Sequence, residues 1–391
     1  MINIYQPELG HEELKAIKKV FKSNWIGKGK LEEQFKNDIS LKLRADSYEW
    51  GYSCVNVDNI LTINSCTEAL FQILELLDLN PTDNVVIPSI SFIGVANAIK
   101  KSNANIKFCD VDKHTLNVEL SYLEKACDEN TKAVILLHYA GVPCDLDPIL
   151  KFCKENNIIV IEDNANSPFS MYKGRSTGVI GDYGTWSFDS MKILSMGDGG
   201  LIYAKDKDNA TKLNENTYLG LLNSSGYSNK IDAKWWEYNV SGPGRRSVIN
   251  DISAAIGIEQ LKKVNRFIKK RKKIHEYYNE HLKNLNWLKL PPAISLDSDS
   301  SYYMYHIQLE TSDRDKLASY LKEKGIYTTF RYYPLHWVAY YNKRFSYVSH
   351  DDLPNTEYAA NHTLCIPIHQ SLKKSEIKYI VKTIKDYGKT K

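Results

Sequence analysis

A lysine lies among small polar residues just after an apolar run that predicts a buried strand. The segment reads Ser187-Phe188-Asp189-Ser190-Met191-Lys192, and Gly197-Asp198-Gly199-Gly200 follows it. Burial disfavours the charged form of a lysine, and an uncharged lysine can form a Schiff base with a carbonyl. A surface lysine before a glycine-rich hairpin is the alternative interpretation. Lys192 is therefore a candidate for covalent chemistry.

A second segment has the pattern of a helix start. In Asn64-Ser65-Cys66-Thr67-Glu68, Ser65 and Glu68 satisfy a capping box directly before an apolar helix. The free backbone N–H groups and the dipole of such a helix start favour an anion, and Thr67 adds a hydroxyl. An ordinary helix cap without a ligand is the alternative.

A third segment, Glu162-Asp163-Asn164-Ala165-Asn166, ends another apolar strand. A carboxylate there can hold a protonated ring nitrogen, and Asn166 can hydrogen-bond an adjacent ring substituent. A strand-end turn is the alternative for this segment taken alone. Together the three segments supply an anion cradle, an acid for a pyridinium nitrogen and an imine-forming lysine. Pyridoxal 5′-phosphate (PLP) requires these three groups.

Alternating strands and helices must position these segments. Short apolar strands between helices predict a parallel sheet covered on both faces, with ligands beyond the carboxyl ends of its strands. The polar stretch 205–243 reads as a long excursion, and a helix runs from Asp251 to about Leu285. We expect a large α/β domain over 1–250 and a small α+β domain over 251–391. The smaller unit is predicted to contain strands at 303–309 and 327–331 and helices at 314–324 and 374–387.

Composition excludes several classes of protein. The chain has 391 residues, 43% hydrophobic and 25% charged, which suits a folded protein rather than a disordered one. A net charge of only +4 gives little support for a nucleic-acid surface. No apolar run is long enough to cross a membrane, and the N-terminus lacks the plan of a signal peptide. The seven cysteines form no C-x-x-C pair and no H-E-x-x-H pattern occurs, so we expect reduced thiols in a cytoplasm and no metal site.

The same segments resemble a known family, the DegT/DnrJ/EryC1/StrS sugar aminotransferases. The resemblance extends in order along almost the whole chain. Beyond the three segments, it includes Trp25-Ile26-Gly27, Pro88 with Ser91-Phe92, the stretch 251–261, Gly325-Ile326, Tyr332 with Pro334-Leu335-His336, and the stretch 365–369.

This resemblance implies PLP-dependent transferase fold type I, with a mostly parallel central sheet flanked by helices and a smaller C-terminal α+β domain. It also implies a homodimer with active sites at the interface. Lys192 is then the lysine that carries the cofactor and shuttles the proton, and Asp163 pairs with the pyridine nitrogen. Asn166 takes the place that Gln usually holds. The resemblance further assigns the phosphate to Cys66, Thr67 and Ser187, and the ring stack to Phe92.

The sequence departs from the family pattern at several positions. Asp189 stands where His is common, and Val248 stands where an Asn often reaches the neighbouring subunit's phosphate, so Arg245, Arg246 or Asn250 would have to substitute. Arg331 stands where His often precedes Tyr. Arg331 or the Arg245–Arg246 pair can bind a diphosphate, with solvated arginines as the alternative. The candidate substrate-binding residues are Trp25, Lys28, Asp189, Arg245, Arg246, Arg331 and His336.

The resemblance therefore implies transfer of the amino group of L-glutamate to a nucleotide-linked keto sugar. A dTDP-4-keto-6-deoxyhexose is the first expectation, for O-antigen, capsule or glycan synthesis. One alternative is a sugar dehydratase of related fold, although those relatives carry His at the lysine position. Another is a PLP-binding regulator without turnover. The nucleotide, the sugar stereochemistry and the choice between C3 and C4 stay open.

Overall fold

A seven-stranded sheet forms the centre of the protein. The computed structural model describes residues 1–48, 51–222, 238–309, 313–344 and 348–389. The strands of the central sheet are β1 (Ile60–Ile63), β2 (Asn84–Pro88), β3 (Asn105–Cys109), β4 (Thr131–Leu137), β5 (Ile159–Asp163), β6 (Tyr183–Ser187) and β7 (Gly200–Ala204).

The strand order is β1-β7-β6-β5-β4-β2-β3. The pairs from β6 to β3 are parallel, whereas β7 is antiparallel to both of its neighbours, β6 and β1. Strands buried on both faces read as continuous apolar runs rather than as alternating ones, so short apolar runs between helices indicate a sheet of this kind. The expected mostly parallel sheet is confirmed.

Both faces of the sheet are covered. Along β4, Val134 and Leu136 belong to one apolar core, and Ala133 and Ile135 belong to another. This alternation follows from the two-residue period of a strand. The helices of this part are α1 (His11–Ser23), α2 (Lys30–Ser40), α3 (Cys66–Leu76), α4 (Ile93–Lys101), α5 (Leu120–Ala126), α6 (Leu146–Glu155) and α7 (Lys207–Thr217).

A third apolar core lies in the C-terminal part. The long helix α8 (Asp251–Leu282) contributes Phe267 to the first core and Ile274 to the third, so it joins the two. A domain boundary near residue 250 stays a prediction, because the first half of α8 packs with the N-terminal part. The other main elements of the C-terminal part are β8 (Leu288–Lys289), β9 (Tyr305–Leu309), α9 (Arg314–Glu323), α10 (Ala339–Asn342), α11 (Pro354–His362), β10 (Thr363–Ile366) and α12 (Lys374–Gly388).

Two predictions of local structure were wrong. The stretch 327–331 forms no strand and contributes only an isolated bridge between Thr329 and Cys365. The polar excursion begins with helix α7, which the side chain of Asp206 caps by accepting the Asn209 N–H at 2.8 Å. Residues 223–237, including Trp235 and Trp236, lie outside the described residues.

In the described part of the chain, no helix has the length and apolar character needed to cross a bilayer.

Candidate active site

A cavity of about 290 Å³ lies at the carboxyl ends of β5 and β6, beside the start of α3. It brings together eight of the residues that the sequence singled out. They are Cys66, Thr67, Phe92, Asp163, Ser187, Asp189, Lys192 and Arg331. Ser65, Leu70, Ala165, Met191, Asp198 and Tyr332 complete its lining.

The start of α3 supplies backbone N–H groups to this cavity. Ser65 caps the helix by accepting the Glu68 N–H at 3.1 Å, but the Glu68 carboxylate contacts Gln72 and Arg245 instead of completing the predicted capping box. The N–H groups of Cys66 and Thr67 belong to the first turn, where a helix leaves its donors without internal partners. They adjoin the positive end of the helix dipole, so this end of the cavity favours an anion such as a phosphate.

Gly200 fixes the distance between β7 and this helix start. A Cβ at Gly200 would lie 2.6 Å from the Ser65 carbonyl carbon and 2.7 Å from the Cys66 nitrogen. No side chain fits there without a shift of the backbone. The absence of a side chain at Gly200 therefore sets where the N–H groups of α3 lie.

We expect Gly200→Ala to displace the start of α3 and weaken cofactor binding. Overpacking of this kind costs roughly 1–3 kcal/mol of folding stability. Urea unfolding measures the stability, and titration of the cofactor-free protein with PLP measures the affinity. Gly242→Ala is the matched control, because a Cβ there meets nothing within 4 Å. Equal PLP affinity in the two variants would contradict this role of Gly200.

Asp163, the last residue of β5, is buried in the cavity wall with 3% of its surface exposed. Its carboxylate accepts the Ala165 N–H at 2.9 Å, and the Cys66 Sγ lies 3.8 Å away. Burial raises the pKa of Asp163, although the Ala165 N–H and Lys192 act in the opposite direction. The carboxylate is thus short of stabilising partners, and a cationic ring nitrogen would supply one.

The neighbouring acid, Glu162, points to the other side of the strand. Its carboxylate contacts His138 at 3.0 Å and accepts the backbone N–H groups of Gly178, Ile180 and Gly181 at 2.8, 2.8 and 2.7 Å. Burial raises the pKa of Glu162, but His138 and these N–H groups outweigh burial and lower it. Glu162 is therefore satisfied by the protein, and Asp163 alone of this pair faces the cavity.

Lys192 is buried, with its Nζ 4.8 Å from the centre of the Tyr303 ring. Burial lowers the pKa of Lys192, but Tyr303, Tyr332 and Asp163 outweigh burial and raise it above its ordinary value. The expectation that burial would make this lysine lose its charge easily is therefore wrong for the cofactor-free chain. The ammonium is stabilised by its neighbours Tyr303, Tyr332 and Asp163.

An aromatic stack that the sequence did not reveal supports Lys192. Tyr303 stacks on Tyr5 with ring centres 5.1 Å apart, and the Arg331 guanidinium lies 4.7 Å from the Tyr5 ring centre. Tyr332 donates its hydroxyl hydrogen to Asn166 Oδ1 at 3.1 Å. Tyr332 had a signal, because it belongs to one of the C-terminal motifs. Tyr5 and Tyr303 had none, because the stack joins positions far apart in the chain.

The residues present fit PLP. The Asn166 Nδ2 is buried and has no hydrogen-bond partner among the described residues, so it is a donor that a ligand can satisfy. Asp163 is a desolvated acid, Lys192 is an amine in the same cavity, and the start of α3 offers N–H groups to a phosphate. Cys66 is buried with a raised pKa, so its thiol stays protonated and contributes as a donor, 3.3 Å from Thr185 Oγ1.

Three candidate substrate-binding residues are held elsewhere in this chain. Arg245 pairs with Glu68 at 3.2 Å and Glu75 at 2.8 Å, and Arg246 lies over the Tyr218 ring. Arg245 and Arg246 do not line the cavity, because acidic and aromatic neighbours hold them outside it. Trp25 is 55% exposed and donates its indole N–H to the Lys28 carbonyl. Substrate binding by these three residues, and contact of Arg245 or Arg246 with the phosphate of a neighbouring subunit, stay predictions.

His336 is also outside the cavity. It is buried, and its Nδ1 lies 2.6 Å from Ser89 Oγ while its Nε2 lies 2.9 Å from Glu357 Oε1. These contacts join the segment after Tyr332 to the end of β2 and to α11. Likewise, Asn250 caps α8 by accepting the Ser253 N–H at 2.9 Å. Both side chains are occupied by contacts that stabilise the fold.

The chain is similar to known aminotransferases. The DegT/DnrJ/EryC1/StrS aminotransferase family matches residues 7–385. The dTDP-4-dehydro-2,3,6-trideoxy-D-glucose 4-aminotransferase of Saccharopolyspora spinosa is 42% identical, over 97% of this chain and 95% of its own. GDP-perosamine synthase of Escherichia coli O157:H7 is 30% identical over 99% of this chain and 98% of its own. The crystal structure of the aminotransferase TlmJ from Streptoalloteichus hindustanus superposes with a TM-score of 0.90 at 39% identity, covering 100% of this chain and 99% of that one.

Proposed function

Because the chain belongs to the DegT/DnrJ/EryC1/StrS aminotransferase family, whose cofactor is PLP, we propose a specific amino donor and a specific amino acceptor for its reaction. The donor is L-glutamate. The acceptor is a dTDP-linked 4-keto-6-deoxyhexose, and the product is a 4-amino-4,6-dideoxy sugar. The 42% identical relative, named as a dTDP-sugar 4-aminotransferase, supports both the nucleotide and the position.

One observation carries the proposal: a buried lysine and a buried carboxylate share a cavity with a helix start. When bound, PLP acts as an electron sink that stabilises negative charge at the carbon next to the transferred nitrogen. Asp163 would hold the protonated ring nitrogen, and the N–H groups at Cys66 and Thr67 with the Ser187 hydroxyl would hold the phosphate. Asn166 Nδ2 would donate to the ring oxygen, and Phe92 would pack on the ring face.

Lys192 has two tasks in this proposal. Its Nζ would hold the cofactor between turnovers, and during turnover it would accept and return the proton at the substrate carbon. A cation–π contact with the Tyr303 ring helps to position the Nζ.

Arg331 is the proposed contact for the substrate diphosphate. It lines the cavity, and its Nη2 lies 3.0 Å from Met191 Sδ, a partner that leaves the positive charge unneutralised. We expect Arg331→Ala to raise the KM for the nucleotide sugar about tenfold or more, with a smaller change in kcat. Steady-state kinetics at saturating glutamate measure both constants. Arg344→Ala, outside the cavity, is the control, and an unchanged KM in Arg331→Ala would contradict the contact.

The test of the reaction is a product analysis. The PLP-loaded protein is incubated with L-glutamate and dTDP-, UDP- or GDP-linked 4-keto-6-deoxyhexoses, and the sugars are examined by mass spectrometry. The proposal expects gain of an amine on the dTDP sugar with formation of 2-oxoglutarate. Loss of oxygen without gain of nitrogen would instead identify the dehydratase-like alternative, which the presence of Lys192 disfavours. No turnover with any sugar would overturn the proposal.

We further propose a homodimer with active sites at the interface. Large apolar side chains remain exposed around the cavity, including Phe92 at 47%, Ile93 at 40% and Met191 at 44%. Contiguous exposed apolar surface favours a protein contact. The cysteines are free, which favours a cytoplasmic setting, and the pathway proposed is the synthesis of O-antigen, capsule or another glycan.

A further inference from the structure

A second cavity lies between the residues that follow α2 and the helix α8. It has a volume of about 720 Å³ and shares no lining residue with the cavity of Lys192. Five cationic side chains line it: Lys42 and Arg44, which follow α2, and Lys269, Lys272 and Lys273 of α8. We call this cavity the lysine groove, defined by these five residues.

The five cations of the lysine groove outnumber the two acids that line it, Glu276 and Asp299. None of the five cations forms an ion pair within the described residues, whereas other cations of α8 do. Lys263 pairs with Glu13 at 2.7 Å, and Arg266 pairs with Glu8 at 2.5 Å. The lining therefore carries a net positive charge, so the groove favours an anionic ligand.

The groove also has an aromatic wall. Tyr52 is 45% exposed, and the Arg44 guanidinium lies 4.2 Å from the centre of its ring. The guanidinium packs on one face of the Tyr52 ring. The exposed part of the ring offers a surface on which a planar base can stack. A purely inorganic anion would make no use of this wall.

Hydrogen-bonding groups for a sugar complete the lining. Glu276 and Asp299 are exposed in the groove, and Asn265 lies on the same side of α8 as Lys269 and Lys272. Carboxylates beside a cluster of lysines oppose a simple polyanion, but they accept hydrogen bonds from hydroxyl groups. A ligand with a base, a sugar and phosphates matches all three kinds of group. The volume of the groove, about 720 Å³, also lies within the usual range for sites that bind small ligands.

We propose that the lysine groove is a second binding site for a nucleoside diphosphate, separate from the active site. The phosphates contact Lys269, Lys272 and Lys273, and the base packs on Tyr52. The site does not depend on the proposed sugar substrate, because it uses none of the residues of the catalytic cavity.

The test is calorimetric titration of the PLP-loaded protein with dTDP, without glutamate or sugar. The groove variant Lys269→Ala/Lys272→Ala/Lys273→Ala is compared with Lys374→Ala/Lys378→Ala/Lys382→Ala, which removes the same charge from α12. All six lysines lie at exposed positions, so both variants are expected to fold. We expect the groove variant to bind one dTDP fewer per chain than the wild type, and the α12 variant to bind the wild-type number.

The difference between variants is informative even if the active site binds no dTDP, so failure of the proposed reaction does not affect this test. A second probe, inorganic pyrophosphate, is expected to bind the groove about tenfold or more weakly than dTDP, because it lacks a base. Equal binding of dTDP by the wild type and the groove variant would overturn the proposal. So would equal affinity of the groove for pyrophosphate and dTDP, which would identify only an unspecific anion patch.

Discussion

Replacing Lys192 by alanine should lower the rate of amino transfer by at least about 10³-fold, because it removes both the covalent attachment and the proton carrier. No other lysine lines this cavity in the part of the chain that the structure describes, so no neighbouring amine can substitute. The rate is followed as 2-oxoglutarate formed from L-glutamate. The phosphate contacts at α3 remain, so PLP should still bind, but without the visible absorption that the attached cofactor gives.

Two controls separate this role from a structural one. Lys207→Ala removes an exposed lysine that pairs with Asp58, and an exposed pair contributes little, so its activity should equal that of the wild type. Added small amines should restore part of the activity of Lys192→Ala, because they can carry the proton in the space that the side chain vacates. Full activity of Lys192→Ala would overturn the assignment of this lysine.

Sequence patterns located the parts of this site that end buried strands. Asp163 and Ser187 are the last residues of β5 and β6. An apolar run followed by polar residues can be recognised in the sequence alone. Glu162 and Asp163 look equivalent in that pattern. Their roles separate only in the fold, because alternate residues of a strand face opposite sides and only Glu162 meets His138.

Other parts of the site have no local pattern. The stack of Tyr5 on Tyr303 joins the N-terminus to the segment before β9, and no periodicity marks such a contact. The motif around His336 pointed to the substrate, but no sequence pattern marked the burial of this side chain against Ser89 and Glu357. The hairpin of Arg44–Tyr48 and Gly51–Cys54 escaped prediction, because its second strand is largely exposed and lacks the apolar alternation of a half-buried strand.

Asp163→Asn should have two effects of opposite sign. Amino transfer should fall by about 10²-fold or more, because an amide cannot hold the ring nitrogen in its protonated form. The cofactor-free chain should become more stable at neutral pH. Burial raises the pKa of Asp163 in the folded chain, so ionised Asp163 destabilises the folded state relative to the unfolded one. Asparagine keeps an oxygen that can accept the Ala165 N–H, and it carries no charge to bury.

The pH dependence gives the decisive form of this experiment. As the pH falls through the raised pKa of Asp163, the wild-type carboxylate takes up its proton in the folded state, and its stability should approach that of Asp163→Asn. Urea unfolding of both cofactor-free proteins from neutral to acidic pH measures this convergence.

Glu162→Gln is the matched control, for which we expect a stability change of the opposite sign. The lowered pKa of Glu162 means that its charge stabilises the fold above its unfolded pKa, and this contribution is lost on acidification. We expect Glu162→Gln to destabilise the chain by about 2–3 kcal/mol at neutral pH, since it weakens a buried acceptor of three backbone N–H groups. Loss of stability in Asp163→Asn at neutral pH would show instead that the protein itself satisfies this carboxylate, and that it needs no cationic ligand.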